Sequence, residues 1–92
     1  MPFYTYILRS ITFDRLYIGH TQDIDLRIQQ HNDGLTRSTV NKGPWEILHY
    51  EIFQNREEAR ALEHRLKKWK NPTRVREWIT QKKSPENTDK HL

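Results

Sequence analysis

Two short alternating segments, separated by only four residues, constrain this chain more than any other feature of it. Tyr4 to Ser10 alternates aromatic and β-branched side chains and reads as a strand, and Arg15 to His20 reads as a second one. The link between them, Ile11-Thr12-Phe13-Asp14, is short enough that a hairpin is the economical arrangement. Strand alternation then places Tyr4, Tyr6 and Leu8 on one face of the first strand, and Tyr17 with Gly19 on one face of the second. A glycine inside a strand often marks a place where another group approaches the backbone closely.

The remaining elements follow by periodicity and punctuation. Thr21-Gln22-Asp23 offers N-cap residues for a helix from Ile24 to Asp33, stopped by Gly34. Residues 35–44 have loop composition, and Trp45 to Phe53 has the character of a third strand. Asn55 followed by Glu58 has capping-box spacing and opens a helix to about Trp69. Asn71-Pro72 interrupts the helical pattern, after which Thr73 is the expected cap of a last helix to about Gln81, with Val75, Trp78 and Ile79 as its apolar side. The polar stretch 84–92 is expected to be a disordered tail, leaving 1–83 as the folded domain. The order β-β-α-β-α-α with tight connections implies an α+β fold, a three-stranded sheet flanked by about three helices.

The chain has few residues with which to build that fold. Of 92 residues only 34% are hydrophobic, so the apolar positions should follow the core faces closely, and ten aromatic rings must fill much of the interior. With no cysteine, disulfides and thiolate metal sites are excluded. No apolar run approaches the roughly 20 residues of a membrane span, and the N-terminus lacks the pattern of a signal peptide, so a cytoplasmic protein with no membrane partner is expected. The net charge of +4 is unevenly spread. Residues 1–55 carry 5 basic and 6 acidic side chains, residues 56–83 carry 10 and 4, and residues 84–92 carry 1 and 2. The middle block is therefore +6, a footprint suited either to nucleic acid or to a solvated helix surface.

Polar residues stand where core residues should be. On the first helix Ile24, Ile28 and His31 share one stripe, with Arg27 beside it. On the long helix Glu63 falls between Leu62 and Leu66 on the stripe that also holds Ala59. A carboxylate aimed at a sheet needs a compensating charge or metal. Two accounts are open from spacing alone: Arg27 and Glu63 form a structural ion pair among ordinary core tyrosines, or these residues converge on a site. By spacing alone His20 and His64 read as surface residues more than ligands, His49 and His91 carry no signal, and no two histidines stand at a familiar zinc spacing.

Thr5-Tyr6-Ile7 and Tyr17-Ile18-Gly19, with their tyrosines eleven positions apart, resemble the two halves of the GIY-YIG nuclease signature. The segment from Asp23 to Asn32 resembles that family's arginine- and histidine-bearing helix. Gly43-Pro44-Trp45, together with Glu58 to Glu63 leading into Leu66-Lys67-Lys68-Trp69, resembles its small standalone bacterial members. The likeness covers about residues 3–79 and extends to the nuclease domain of the excision-repair incision subunit. It implies an antiparallel three-stranded sheet and hydrolysis of phosphodiesters with one divalent cation, Mg²⁺ or Mn²⁺. By the same resemblance Glu63 is the metal ligand, Arg27 holds the scissile phosphate, Tyr17 activates or orients the attacking water, Tyr6 is a second positioning phenol, and His31 is auxiliary.

A phenol with a pKa of about 10 is a poor base at neutral pH and needs a neighbouring cation or metal. A lysine that often follows the second motif is replaced here by His20, an auxiliary residue able to take a proton. Thr5 stands where the signature has glycine. The expected activity is that of an endonuclease on nucleic acid, DNA more than RNA, of particular structure as met in repair or recombination. Lys67, Lys68 and Lys70 are the expected nucleic-acid contacts, and a targeting protein is an expected partner. The alternatives are a catalytically idle or partner-dependent nucleic-acid-binding module built on the basic helices of residues 56–83, and a protein-interaction adaptor.

Overall fold

A computed structural model describes residues 2–37 and 39–89, with residues 83–89 described by their backbone alone. Its elements are β1 (Phe3–Ser10), β2 (Leu16–Thr21), α1 (Ile24–Asn32), β3 (Trp45–Phe53), α2 (Arg56–Trp69) and α3 (Pro72–Asp89). The strands form one antiparallel sheet in the order β2-β1-β3, so the strand carrying Tyr6 is central and the strand carrying Tyr17 is an edge. This is the expected α+β architecture and element order.

Local chemistry accounts for the boundaries. Asp23 caps α1 by accepting from the Leu26 N–H, and Asn55 caps α2 by accepting from the Glu58 N–H. After α1 the chain turns at Gly34, whose φ of +78° suits glycine. The last helix starts earlier than Thr73. The Asn71 side chain accepts from the Arg74 N–H, which makes Asn71 the cap and puts Pro72 at the first helical position, where a missing N–H costs nothing. That helix also runs past Gln81 to Asp89, and residues 90–92 of the polar tail lie outside the described residues.

The two faces of the sheet are covered differently. On one, Ile7 and Ile18 meet Leu62 and Leu66 of α2 and Val75 and Ile79 of α3, an aliphatic core with Trp69 and Trp78 at its margin. Between Ile7 and Leu8 the β1–β3 register slips by one residue, and the extra residue, Leu48, packs against this same core. On the other face Tyr6, Leu8 and Trp45 pack against Tyr17, Ile24 and Ile28. Thr5 joins the layers: its buried hydroxyl donates to the Ala59 carbonyl of α2 at 2.7 Å, a contact a glycine there would lack.

Candidate active site

Tyr6 pairs across the hairpin with Gly19, and the absence of a side chain at Gly19 is what admits the phenol. A Cβ there would lie 2.5 Å from the Tyr6 hydroxyl oxygen and 2.8 Å from Cζ. The ring of Tyr6 therefore lies across the backbone of the edge strand. Arg27 Nε donates to the Tyr6 hydroxyl at 3.3 Å, while Arg27 Nη1 donates to Gln30 Oε1 at 3.0 Å. His31 Nε2 stands 3.0 Å from the same hydroxyl, and His31 Nδ1 stands 2.7 Å from Thr39 Oγ1. The Tyr17 ring completes the group, its centroid 6.3 Å from that of Tyr6 and 4.8 Å from that of His31.

Burial governs the charges here. It pushes the Tyr6 phenol up to about 12, against the opposing pull of the Arg27 hydrogen bond, so Tyr6 stays neutral at physiological pH. Burial, aided by the Arg27 charge, pulls His31 down to about 4, so its ring is also neutral. Arg27, bonded to the Tyr6 oxygen, is the cation of this cluster.

Glu63 reaches the edge strand from the opposite face. His20 Nδ1 stands 2.5 Å from Glu63 Oε1, and Lys67 Nζ donates to Glu63 Oε2 at 2.6 Å. Burial raises the Glu63 carboxyl, but the hydrogen bonds from Lys67 and His20 overcome this and hold it below the usual carboxylate range. The Lys67 ammonium also lies 5.9 Å from the Tyr17 ring centroid, so it bridges the two faces around the outer edge of β2. A cleft of about 630 Å³ opens beside Glu63, lined by His20, Arg60, His64 and Lys67 among others.

Residues 2–87 match the GIY-YIG catalytic domain family over nearly the whole chain. The chain belongs to that family. Relatives include a UPF0213 protein of Clostridium perfringens, 36% identical over 66 residues that cover 71% of this chain and 70% of the relative. Another, from Oceanobacillus iheyensis, is 38% identical over 65 residues, covering 70% and 74%. The solution structure of a UPF0213 protein of Bacillus halodurans superimposes with a TM-score of 0.58 at 28% identity, covering 100% of this chain and 97% of that one. The chain is thus a small GIY-YIG domain of a nuclease family, similar to bacterial UPF0213 proteins.

Within this GIY-YIG domain the expected site residues divide into two groups. Tyr6, Tyr17, Arg27 and His31 gather on the α1 side of β2, and Glu63 and His20 on the α2 side. The Arg27–Glu63 ion pair of the alternative account does not form: Arg27 bonds Tyr6 and Gln30, and Glu63 bonds His20 and Lys67. His20 pairs with Glu63 rather than with Tyr17, because alternation along β2 sends residues 17 and 20 to opposite faces. Of the expected nucleic-acid contacts, Lys67 lies inside the site and Lys68 is exposed, while Lys70 is an exposed left-handed cap of α2. Several cations of the basic block serve the domain's own packing. Arg56 lies over Phe3, Arg74 over Trp69 and Lys82 over Trp78, and Arg76 pairs with Asp14.

Sequence reading passed over Thr39 and Asn32. Thr39 is buried against His31, and Asn32 clamps Trp45 by donating to its carbonyl and accepting from its N–H. Both act from or on the 35–45 segment, whose composition signals only a loop. A threonine facing a buried histidine has no periodicity to reveal it.

Among the described residues no three His, Asp or Glu side chains cluster as a metal site, and Glu63 is the carboxylate that a divalent cation of the magnesium type could use. Glu63 is a charged oxygen donor beside an open cleft, and the Lys67 ammonium already marks a cation position at its Oε2. Magnesium needs only one or two carboxylates, the rest of its shell being water and phosphate oxygens.

Proposed function

We propose that this chain is a divalent-cation-dependent endonuclease that hydrolyses phosphodiester bonds of nucleic acid, with structured DNA of the kind met in repair or recombination as its substrate. The observation that carries this reading is the meeting of Tyr6, Tyr17 and Arg27 with Glu63 and Lys67 around the outer edge of β2, in a chain of nuclease family membership. Attack by water forms one P–O bond and breaks another, and charge accumulates on the non-bridging oxygens. Arg27 would hold the phosphate and neutralise that charge. Tyr17 orients the water by accepting its hydrogen, with Lys67 as the cation near its ring. Tyr6 and His31 support the arrangement from beneath, and His20 orients Glu63. Glu63 would hold the cation, which supplies a more acidic water and charge neutralisation when bound. Arg60 and Lys67 supply cations to the cleft, beside Glu57 and Glu63, for contact with the nucleic-acid backbone, and Lys68 and Lys70 extend that contact. A targeting protein would direct the domain to its substrate.

One observation favours a second reading, a nucleic-acid-binding module that is idle without a partner: both Glu63 oxygens are already held by Lys67 and His20. The deciding experiment incubates purified protein with Mg²⁺ or Mn²⁺ and branched, nicked, flap and single-stranded DNA and RNA, beside Glu63→Gln. Cleavage lost in the variant is the expected result. Salt-sensitive binding that survives the substitution, with no turnover of any substrate, would replace the nuclease by the binding module.

A further inference from the structure

Tyr6, His31 and Thr39 have one arrangement of hydrogens that pairs each of their donors, while the buried hydroxyl of neighbouring Thr36 has no partner. The Tyr6 side chain is 1% exposed, and its oxygen already accepts from Arg27 Nε. Its own O–H therefore needs an acceptor. His31 Nε2, at 3.0 Å, is that acceptor only when the ring carries its hydrogen on Nδ1. Nδ1 faces Thr39 Oγ1 at 2.7 Å, so Thr39 accepts there and turns its own hydrogen to the Thr36 carbonyl at 3.4 Å. The reverse polarity would aim His31 Nε2–H and Arg27 Nε–H at the same phenolic oxygen. The Tyr6 hydrogen would then lack an acceptor, since no other hydrogen bond from it is present among the described residues.

We propose that Thr39, His31 and Tyr6 form a one-directional relay of positioning residues that fixes the Arg27 guanidinium. The relay runs from Arg27 Nε–H to Tyr6, from Tyr6 O–H to His31 Nε2, from His31 Nδ1–H to Thr39, and from Thr39 O–H to Thr36. Two consequences follow. Tyr6 has no hydrogen to offer a phosphate, whose oxygens only accept, so its contribution passes through Arg27 and not through direct contact with substrate. With Nε held by Tyr6, Nη1 by Gln30 and the Tyr17 hydroxyl as a further hydrogen-bond partner, the guanidinium plane is set before substrate arrives. The end of the relay is anchored independently of it: the Trp45 indole N–H donates to the Thr39 carbonyl at 3.2 Å. This deepens the nuclease reading and rests on it only for the phosphate as ligand of Arg27.

The test is nitrogen-15 NMR on the full chain at neutral pH. His31 is expected as the single Nδ1–H tautomer, and an Nε2–H tautomer would overturn the relay. The Arg27 Nε–H should exchange slowly with solvent. In Thr39→Val its exchange should quicken on the order of tenfold as the ring loses its fixed tautomer, and Thr39→Ser should restore it. Unchanged Arg27 exchange in a normally folded Thr39→Val chain would sink the proposal, and if that variant does not fold the wild-type tautomer decides. None of these signals depends on turnover. A correct tautomer and a protected Arg27 in a chain that cleaves nothing would leave the relay standing and remove only the nuclease.

Discussion

The two faces of the same three strands are built for different ends. Toward α2 and α3 the strands present Ile7 and Ile18 to Leu62, Leu66, Val75 and Ile79, side chains that contribute by leaving water and nothing else. Toward α1 the equivalent positions hold Tyr6 and Tyr17, and the helix returns His31 and Arg27 beside its two isoleucines. A buried polar cluster stabilises less reliably than aliphatic packing of similar volume, because each donor must find its acceptor. The apolar face thus carries the stability that allows the other face to hold phenols, an imidazole and a guanidinium. Substitutions on the two faces should separate folding from chemistry.

The largest effect should come where the two faces meet. Glu63→Gln and Tyr17→Phe are each expected to lower cleavage on the order of 1,000-fold, about 4 kcal/mol of barrier. Urea midpoints should move little by comparison, since both side chains are only partly buried. A large loss of stability with proportionate loss of activity would place them with the core instead. Next is the apolar face itself. Leu66 is 1% exposed in the middle of the aliphatic cluster, and Leu66→Ala should cost about 3 kcal/mol of unfolding free energy, seen in urea melts. Any protein that remains folded should keep its turnover number, which activity per folded molecule would check. Gly19→Ala comes third: the new methyl collides with Tyr6, which cannot retreat from a buried position. Displacing Tyr6 displaces Arg27, and turnover should fall on the order of 100-fold.

The two faces were also unequally legible in the sequence. The apolar face follows period and spacing, so Leu62, Leu66, Val75 and Ile79 are read directly from helical stripes. On the other face the same method shows only that Arg27, His31 and Glu63 are misplaced on such stripes. It does not show that Glu63 turns to His20 and Lys67 instead of Arg27, because stripe position gives the side of a helix and not the side of the sheet that helix covers. Thr39 was illegible for a further reason. Its partner is eight residues away across an irregular turn, where neither alternation nor 3.6-residue spacing constrains which groups meet.

The smallest effect, and the sharpest test of the polar face, is the pH dependence of stability. His31 has an ordinary pKa near 6.5 when unfolded and about 4 when folded, chiefly through burial. Between those values the unfolded chain binds a proton that the folded chain refuses, so stability is lost as pH falls through this window and is fully present above it. From pH 7 to pH 5 the loss should be about 2 kcal/mol. Glu63 acts in the same direction but lower, because its carboxyl sits below the usual range and its contribution fades only as pH falls through that depressed value. The interval from 7 to 5 therefore lies above the range in which Glu63 contributes, and His31→Gln separates His31 from the other four histidines. Urea midpoints at pH 7, 6 and 5 should fall steeply for the wild type and flatten for His31→Gln, which has nothing to protonate. Parallel curves for the two would mean that His31 does not reside neutral behind Tyr6, and the contrast between a dry apolar face and a paired polar one would lose its main support.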